Sequence, residues 1–253
     1  MIPIGSHPAC HPVFETVAYA AGYAVFRWVR NRQGDIVSEP QRWTVLAAAA
    51  VGALLGSRLL GLAELWPTVL AAWRVGRVWA LLLSPGGKTI VGGLLGGWLG
   101  VEIAKRVTGI RRRTGDLFVL PLCVGIAVGR VGCLLAGLAD DTYGNRTSLA
   151  WAVDLGDGIG RHPVQLYEIL FLALAGVLVN TNIRLPEGAR FRIFLAAYLG
   201  WRIAVDFLKP QPLVHGMNLI QWASVAGLAA LGALYLKDRR TSRRKVVQHV
   251  VVG

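Results

Sequence analysis

Gly129-Arg-Val-Gly-Cys-Leu-Leu-Ala-Gly137 continues as Leu138-Ala-Asp-Asp-Thr-Tyr-Gly144. The stretch begins inside an apolar run, Phe118 to Leu138, and ends in an acidic, glycine-containing loop. A run of that length can cross a bilayer as a helix, which puts Arg130 at membrane depth. A charge there costs roughly 3 kcal/mol or more and normally faces an internal cavity holding a counter-charge. Arginine keeps its proton in proteins, so the partner is an anion. It is either a structural carboxylate or a functional ligand, and the other buried charges decide between them.

The rest of the chain agrees with a membrane setting. It has 253 residues, 54% hydrophobic and 16% charged, with a mean hydropathy of +0.50. Those values exclude disorder, argue against a soluble globule and point to an all-α polytopic membrane protein. Seven apolar segments can be drawn, at 13–29, 43–64, 89–104, 116–138, 163–182, 191–208 and 217–236. The third, with Val91-Gly-Gly-Leu-Leu-Gly-Gly-Trp-Leu-Gly100, reads as a close helix-packing surface. Leu65 to Lys88, with Trp66, Trp73 and Trp79, is expected to lie along the membrane surface or to form a re-entrant or irregular loop. Residues 1–236 then make a single transmembrane domain and 237–253 a basic cytoplasmic tail. The first twelve residues are polar and lack a basic start, so no cleavable signal peptide is expected. Cys10, Cys123 and Cys133 are dispersed, and no His, Cys or Asp cluster has metal-ligand spacing. No disulfide framework, metal or other cofactor is expected.

Lys and Arg set the orientation. Arg27, Arg30, Arg32 and Arg42 occupy the first loop; Lys105, Arg106, Arg111, Arg112 and Arg113 the third; Arg184, Arg190 and Arg192 the fifth. The tail adds Lys237, Arg239, Arg240, Arg243, Arg244 and Lys245, while the alternate loops carry only Arg74, Arg77, Lys88, Arg146, Arg161 and Lys209. The positive-inside rule then places the amino terminus outside and the carboxyl terminus in the cytoplasm. The same asymmetry accounts for the net charge of +13 without a nucleic-acid partner.

Three basic residues remain inside segments: Arg58, Arg130 and Arg202. They come about fifteen, fourteen and eleven residues after the inner ends of outward-running segments, which places all three in the outer half of the bilayer. Glu15, Tyr19, Glu168 and Gln221 open inward-running segments and lie at the same level. Tyr198, Arg202 and Asp206 share one helical stripe by their i, i+4, i+8 spacing. The loop after the fourth segment adds Asp140, Asp141, Asp154 and Asp157. Arginines facing carboxylates at headgroup depth suit an anion with an apolar tail, such as a phospholipid, whose phosphate takes forked guanidinium hydrogen bonds. The carboxylates orient the arginines or handle protons.

Several of these strings resemble one bacterial family, the phosphatidylglycerol–prolipoprotein diacylglyceryl transferases. Gly129-Arg-Val-Gly132 with its following loop to Gly144 is similar to the family signature, and His162-Pro-Val-Gln-Leu-Tyr-Glu168 to its His-Pro-x-Gln-Leu-Tyr-Glu. Tyr198-x-x-x-Arg202-x-x-x-Asp206 is similar to its Tyr-x-x-x-Arg-x-x-x-Glu. The resemblance spans residues 12 to 236. It implies a multi-pass protein of the bacterial cytoplasmic (inner) membrane that moves diacylglycerol from phosphatidylglycerol to the lipobox cysteine of a prolipoprotein, releasing glycerol phosphate. It further implies that Arg130 and Arg202 grip the phosphate, that Glu168 and Tyr198 shape the site and that Asp206 orients Arg202. Arg58, Gly129, Gly132, Gly144, Gln165, Tyr167 and Gln221 complete the expected substrate-binding set, and Asp140, Asp141 and His162 join the catalytic one.

The chain also departs from the family. Where the family's third helix carries His-Gly-Gly, with a histidine important for activity, this chain has Val91-Gly92-Gly93. The signature Gly-Arg-x-Gly-Asn-Phe-x-Asn-x-Glu loses two asparagines and a glutamate, Cys133 taking the first asparagine position. The expected replacement base is Asp140 or Asp141 rather than His162, whose place before Pro163 suits a helix cap. Structural alternatives are a buried apolar role for Cys133 and packing for Tyr198. The functional alternatives are a transferase with a different acceptor, a non-catalytic lipid-binding or assembly factor, and an anion transporter. Transport would predict internal repeats, and none is visible between the halves.

Overall fold

The computed structural model describes residues 1–77, 79, 87–181 and 185–252. Each of the seven apolar segments is a helix: α1 (Cys10–Gln33), α2 (Glu39–Glu64), α4 (Ile90–Thr108), α5 (Val119–Ala136), α6 (Val164–Asn180), α7 (Ala189–Val205) and α8 (Leu219–Val252). Between α2 and α4 a short helix, α3 (Trp66–Arg74), forms the first part of the expected surface stretch. Positions 78 and 80–86 of that stretch, and Arg184 of the fifth loop, lie outside the described residues. The last segment and the expected tail form one continuous helix. Three described helices are long and apolar enough to cross a membrane, Glu39–Glu64, Asp116–Asp140 and Leu219–Arg240, and Val164–Val179 is a shorter apolar helix.

Exposed leucines on α2 (Leu54 at 61%, Leu59 at 67%) are what a lipid-facing surface requires. The other face of α2 packs on α4 through glycine. A methyl group on Gly96 would strike the Gly52 carbonyl and Gly56 Cα, and one on Gly92 would strike the Gly56 carbonyl. The two backbones therefore touch, as small residues at a helix interface allow. Thr89 caps α4 by accepting from the Gly92 amide at 3.2 Å, while its own amide donates to Ser57 on α2 at 2.9 Å. Helices α1 and α5 form the second close pair, and α6, α7 and α8 close the bundle around a core that includes Val91, Leu172, Phe194, Tyr198 and Leu199.

At the end carrying the basic loops, Asp35 binds both Arg30, at 3.0 Å, and Arg42, whose Nε lies 2.7 Å away. Arg42 is fully buried against the rings of Phe26 and Phe118. Burial alone would raise the Asp35 carboxyl, but hydrogen bonds from Arg42 and the Val37 amide, with the Arg42 and Arg30 charges, hold it below its ordinary value. Asp116 caps α7 across the fold by accepting from the amides of Gly188 (2.7 Å) and Phe191 (3.0 Å).

The opposite end carries a small cap. β1 (Ile2–Pro3) runs parallel to β2 (Val153–Asp154), which pairs antiparallel with β3 (Gly160–Arg161). Ser6 donates to the Ala136 carbonyl at 2.9 Å, and the His7 amide to that of Leu135 at 2.8 Å. The chain before α1 is thus held across the end of α5. Within the cap, hydrogen bonds from Arg161 hold the Asp157 carboxyl below its ordinary value.

Candidate functional site

Five of the residues singled out in the sequence meet in one buried network. Glu168, 2% exposed on α6, lies at its centre. Its Oε1 accepts from the Tyr198 hydroxyl at 2.6 Å. Its Oε2 lies 2.9 Å from Arg130 Nε and 3.4 Å from Arg202 Nη1. Arg202 is also paired with Asp206 one turn on, at 2.7 Å. The i, i+4, i+8 stripe on α7 does what its spacing requires: it presents Tyr198, Arg202 and Asp206 together to α6 and α5.

Two further charges belong to this cluster and were not foreseen. Lys209, 8% exposed just past α7, lies 3.1 Å from Asp206. Glu64, the last residue of α2, is within electrostatic reach of Asp206, Arg202 and Lys209. The depth argument could have found Glu64, because an outward-running segment ends at the outer level. Lys209 gave no such signal, since a lysine before a proline reads as a loop charge. Arg130, Arg202 and Lys209 thus face Glu168, Asp206 and Glu64. Such desolvation costs several kcal/mol per ion unless hydrogen bonding is nearly complete. Here it is not complete. Arg202 Nε, both amide atoms of Gln165 and one Glu64 oxygen are buried without a hydrogen-bond partner. Gln165 is 1% exposed and lies one turn before Glu168 on α6.

The remaining candidates sit around this network. Arg58 is half-buried on α2. Gln221 forms a reciprocal cap with Asn218 (2.7 and 2.8 Å) and donates to the Ile203 carbonyl at 2.8 Å, tying the start of α8 to α7 beside Arg202. Tyr167 accepts from the Trp151 indole at 2.8 Å and lies 3.4 Å from His162 Nδ1, so His162 and Tyr167 pin the loop to the start of α6. Gly132 lets Phe14 of α1 lie against α5, Gly144 backs onto His162, and Gly129 faces Ala18. Asp141 is exposed in a left-handed turn (φ 54°).

Asp140 stands apart from its neighbour. Its Oδ1 lies 2.7 Å from His11 Nδ1, and Thr142 donates to its Oδ2. Cys133 lies beside them, with Arg130 Nη1 3.7 Å from its Sγ. Folding therefore assembles what chain spacing did not show: one atom each from His11, Cys133 and Asp140 within 4.8 Å of one another. His11 was missed because it precedes the first apolar segment by half a turn. Val91, where the family resemblance expects histidine, is 1% exposed and belongs to the main core. A separate pocket lies toward the basic loops, lined in part by Trp98, Glu102, Lys105, Arg113 and Arg192, and contains none of the network residues.

The sequence model of the prolipoprotein diacylglyceryl transferase family matches residues 11–237. The chain belongs to that family. Among curated members, the phosphatidylglycerol–prolipoprotein diacylglyceryl transferase of Geobacter sulfurreducens is 29% identical over 217 residues, covering 79% of this chain and 77% of that protein. The one from Cupriavidus pinatubonensis is 26% identical, covering 94% and 97%, and the one from Bordetella avium 28% identical, covering 90% and 89%. In this diacylglyceryl transferase family member, the matched region contains the whole buried network together with His11 and Asp140.

Proposed function

We propose that the protein transfers the diacylglyceryl group of phosphatidylglycerol to the lipobox cysteine thiol of a prolipoprotein in the bacterial inner membrane. The observation that carries this reading is a buried layer of three cations, Arg130, Arg202 and Lys209, in which Arg202 Nε and the neighbouring Gln165 amide have no hydrogen-bond partner among the described residues. Such donors match an incoming phosphate diester, whose oxygens accept several hydrogen bonds while its acyl chains stay in lipid. Arg130 and Arg202 grip the phosphate, with Lys209 adding charge. Glu168 and Tyr198 hold the two guanidiniums in place, Asp206 orients Arg202, and Gln165 reaches a phosphate or glycerol oxygen. The thiolate sulfur attacks the glyceryl carbon that carries the phosphate; the C–O bond breaks and its electron pair leaves with glycerol phosphate. Neutralising the developing phosphate charge is the term the arginines supply.

The seven helices each cross the membrane in this reading, with the amino terminus outside and the carboxyl terminus in the cytoplasm, so the network opens toward the outer leaflet. Residues 1–236 are the membrane domain and 237–253 its basic extension. The second reading, a phospholipid-binding factor without transfer activity, is favoured by one feature, the buried Val91 in place of the family histidine.

The test is mass spectrometry of a lipobox peptide incubated with purified protein and phosphatidylglycerol. Thioether product with released glycerol phosphate supports transfer; lipid binding without product supports the second reading. Arg130→Lys and Arg202→Lys should each lower turnover about 10- to 100-fold, since a point charge lacks the forked geometry. Parent-like turnover in both variants would remove the phosphate role.

A further inference from the structure

The family histidine has no counterpart at Val91, yet thiol alkylation needs the thiolate, and an ordinary cysteine, with a pKa of about 8.5, is mostly protonated at neutral pH. The geometry points to His11 as the group that takes the acceptor thiol's proton, with Asp140 as its positioning residue. This assignment rests on the transfer reading above and supplies the step it lacks.

Four observations carry it. His11 is on the first turn of α1, with its side chain 38% exposed, whereas the Asp140 side chain is only 7% exposed. The Asp140 carboxylate lies at an ion-pair distance of 2.7 Å from Nδ1. A part-exposed imidazole with one nitrogen against a buried carboxylate is arranged as a general base. Cys133 connects this pair to the phosphate-binding layer, since its Sγ is 3.7 Å from Arg130. Finally, Glu15, one turn after His11, pairs with Lys88, which ties this turn of α1 to the segment just before α4.

The charged and titratable groups facing His11 are Asp140, Cys133 and Arg130 on the α5 side and Glu15 with Lys88 on the α1 and α4 side. The His11, Cys133 and Asp140 atoms are close enough to chelate a metal. The Arg130 guanidinium beside Cys133, however, places a fixed positive charge against any cation there, which favours proton handling. Thiol and neutral imidazole give thiolate and imidazolium; the thiolate forms the S–C bond as the C–O bond breaks. The imidazolium then returns its proton to the departing phosphate or to water, so charge and atoms balance.

The experiment measures diacylglyceryl transfer to a single-cysteine lipobox peptide by the parent, His11→Gln and Asp140→Asn, from about pH 7 to about pH 9.5, where the free thiol ionises unaided. Phosphatidylglycerol retention is read in parallel by native mass spectrometry. The expected result at pH 7 is a loss of about 100-fold in His11→Gln and a smaller loss in Asp140→Asn, within the range of a lost general base. Both deficits should shrink at least tenfold at alkaline pH, with lipid retention unchanged. A misfolded or merely loosened protein would show no alkaline rescue. Parent-like turnover of His11→Gln at pH 7, or a deficit equal at both pH values, overturns the assignment. So does a parent activity abolished by a chelator and restored by zinc, which would make the cluster a metal site. A parent that retains phosphatidylglycerol but transfers nothing overturns the transferase reading itself.

Discussion

Glu168→Gln separates the two tasks of one carboxylate. In the folded protein Glu168 is the only carboxylate paired with Arg130 among the described residues, whereas Arg202 keeps Asp206. Removing one partner of a buried ion pair costs about 3–5 kcal/mol. The glutamine carbonyl is nearly isosteric and can accept from the Arg130 guanidinium, and a retained hydrogen bond to a charged group returns about 1.5–3 kcal/mol. The net expectation is a loss of about 2 kcal/mol in neutral detergent or phosphatidylcholine, roughly a 30-fold shift in the unfolding equilibrium.

The variant site is also more positive by one charge, and a lipid phosphate can take the place that the carboxylate vacates. Ligand that binds only the native state stabilises it by RT ln(1 + [L]/Kd), so phosphatidylglycerol should stabilise Glu168→Gln more than the parent. The assay is thermal unfolding of both proteins during titration of phosphatidylglycerol into phosphatidylcholine micelles. The gap in Tm should narrow by at least half as the anionic lipid rises. Equal stability in neutral lipid would refute the claim that Glu168 neutralises Arg130. An unchanged gap at saturating phosphatidylglycerol would refute a phosphate site in this layer.

Other perturbations address the scaffold. Asp35→Asn leaves Arg42 buried beside Phe26 and Phe118 with its carboxylate gone and should cost about 3 kcal/mol in thermal unfolding. Because the Asp35 carboxyl is held below its ordinary value, that stability is present above 3.8, the ordinary aspartate value, and fades as pH falls through the folded value; an acid titration in which parent and variant lose stability in parallel would contradict it. Gly96→Ala should separate α2 from α4 and lower the Tm sharply, whereas Gly93→Ala, whose added methyl meets nothing nearer than 3.8 Å, should leave it within about 1 kcal/mol of the parent. Cysteines at positions 112 and 243 should label only from the cytoplasmic side, and labelling from outside would overturn the orientation.

Helix positions and much of the charged network were legible in the sequence because both obey simple periodicities. Apolar runs marked α1, α2 and α4 to α8, and the stripe Tyr198, Arg202, Asp206 named its own face. The glycines of the third segment were correctly read as packing residues, since a backbone contact is what a glycine-rich face permits. What escaped were contacts made by residues just outside the runs. His11 precedes α1's apolar stretch, Lys209 follows α7, and Arg42 looked like one more topology-setting charge in a loop. His11 draws its meaning from Asp140, far away in sequence, while Lys209 and Arg42 take theirs from nearby carboxylates, Asp206 and Asp35, that a loop reading of either charge does not reveal.

The two halves of the site are built to different standards, and the chemistry explains why. The Glu168 network is sealed among α5, α6 and α7, a setting that suits the proposed phosphate grip, since guanidiniums hold phosphate most strongly where water is excluded. His11 and Asp140 stand at its rim, held by the β1 segment and the loop after α5 rather than by the bundle core. A group that must meet a thiol on another polypeptide has to be reachable from outside, and it must exchange its proton with solvent after each turnover. The proposed function would thus place phosphate recognition where the helices fix it, and proton transfer where the chain can admit a partner.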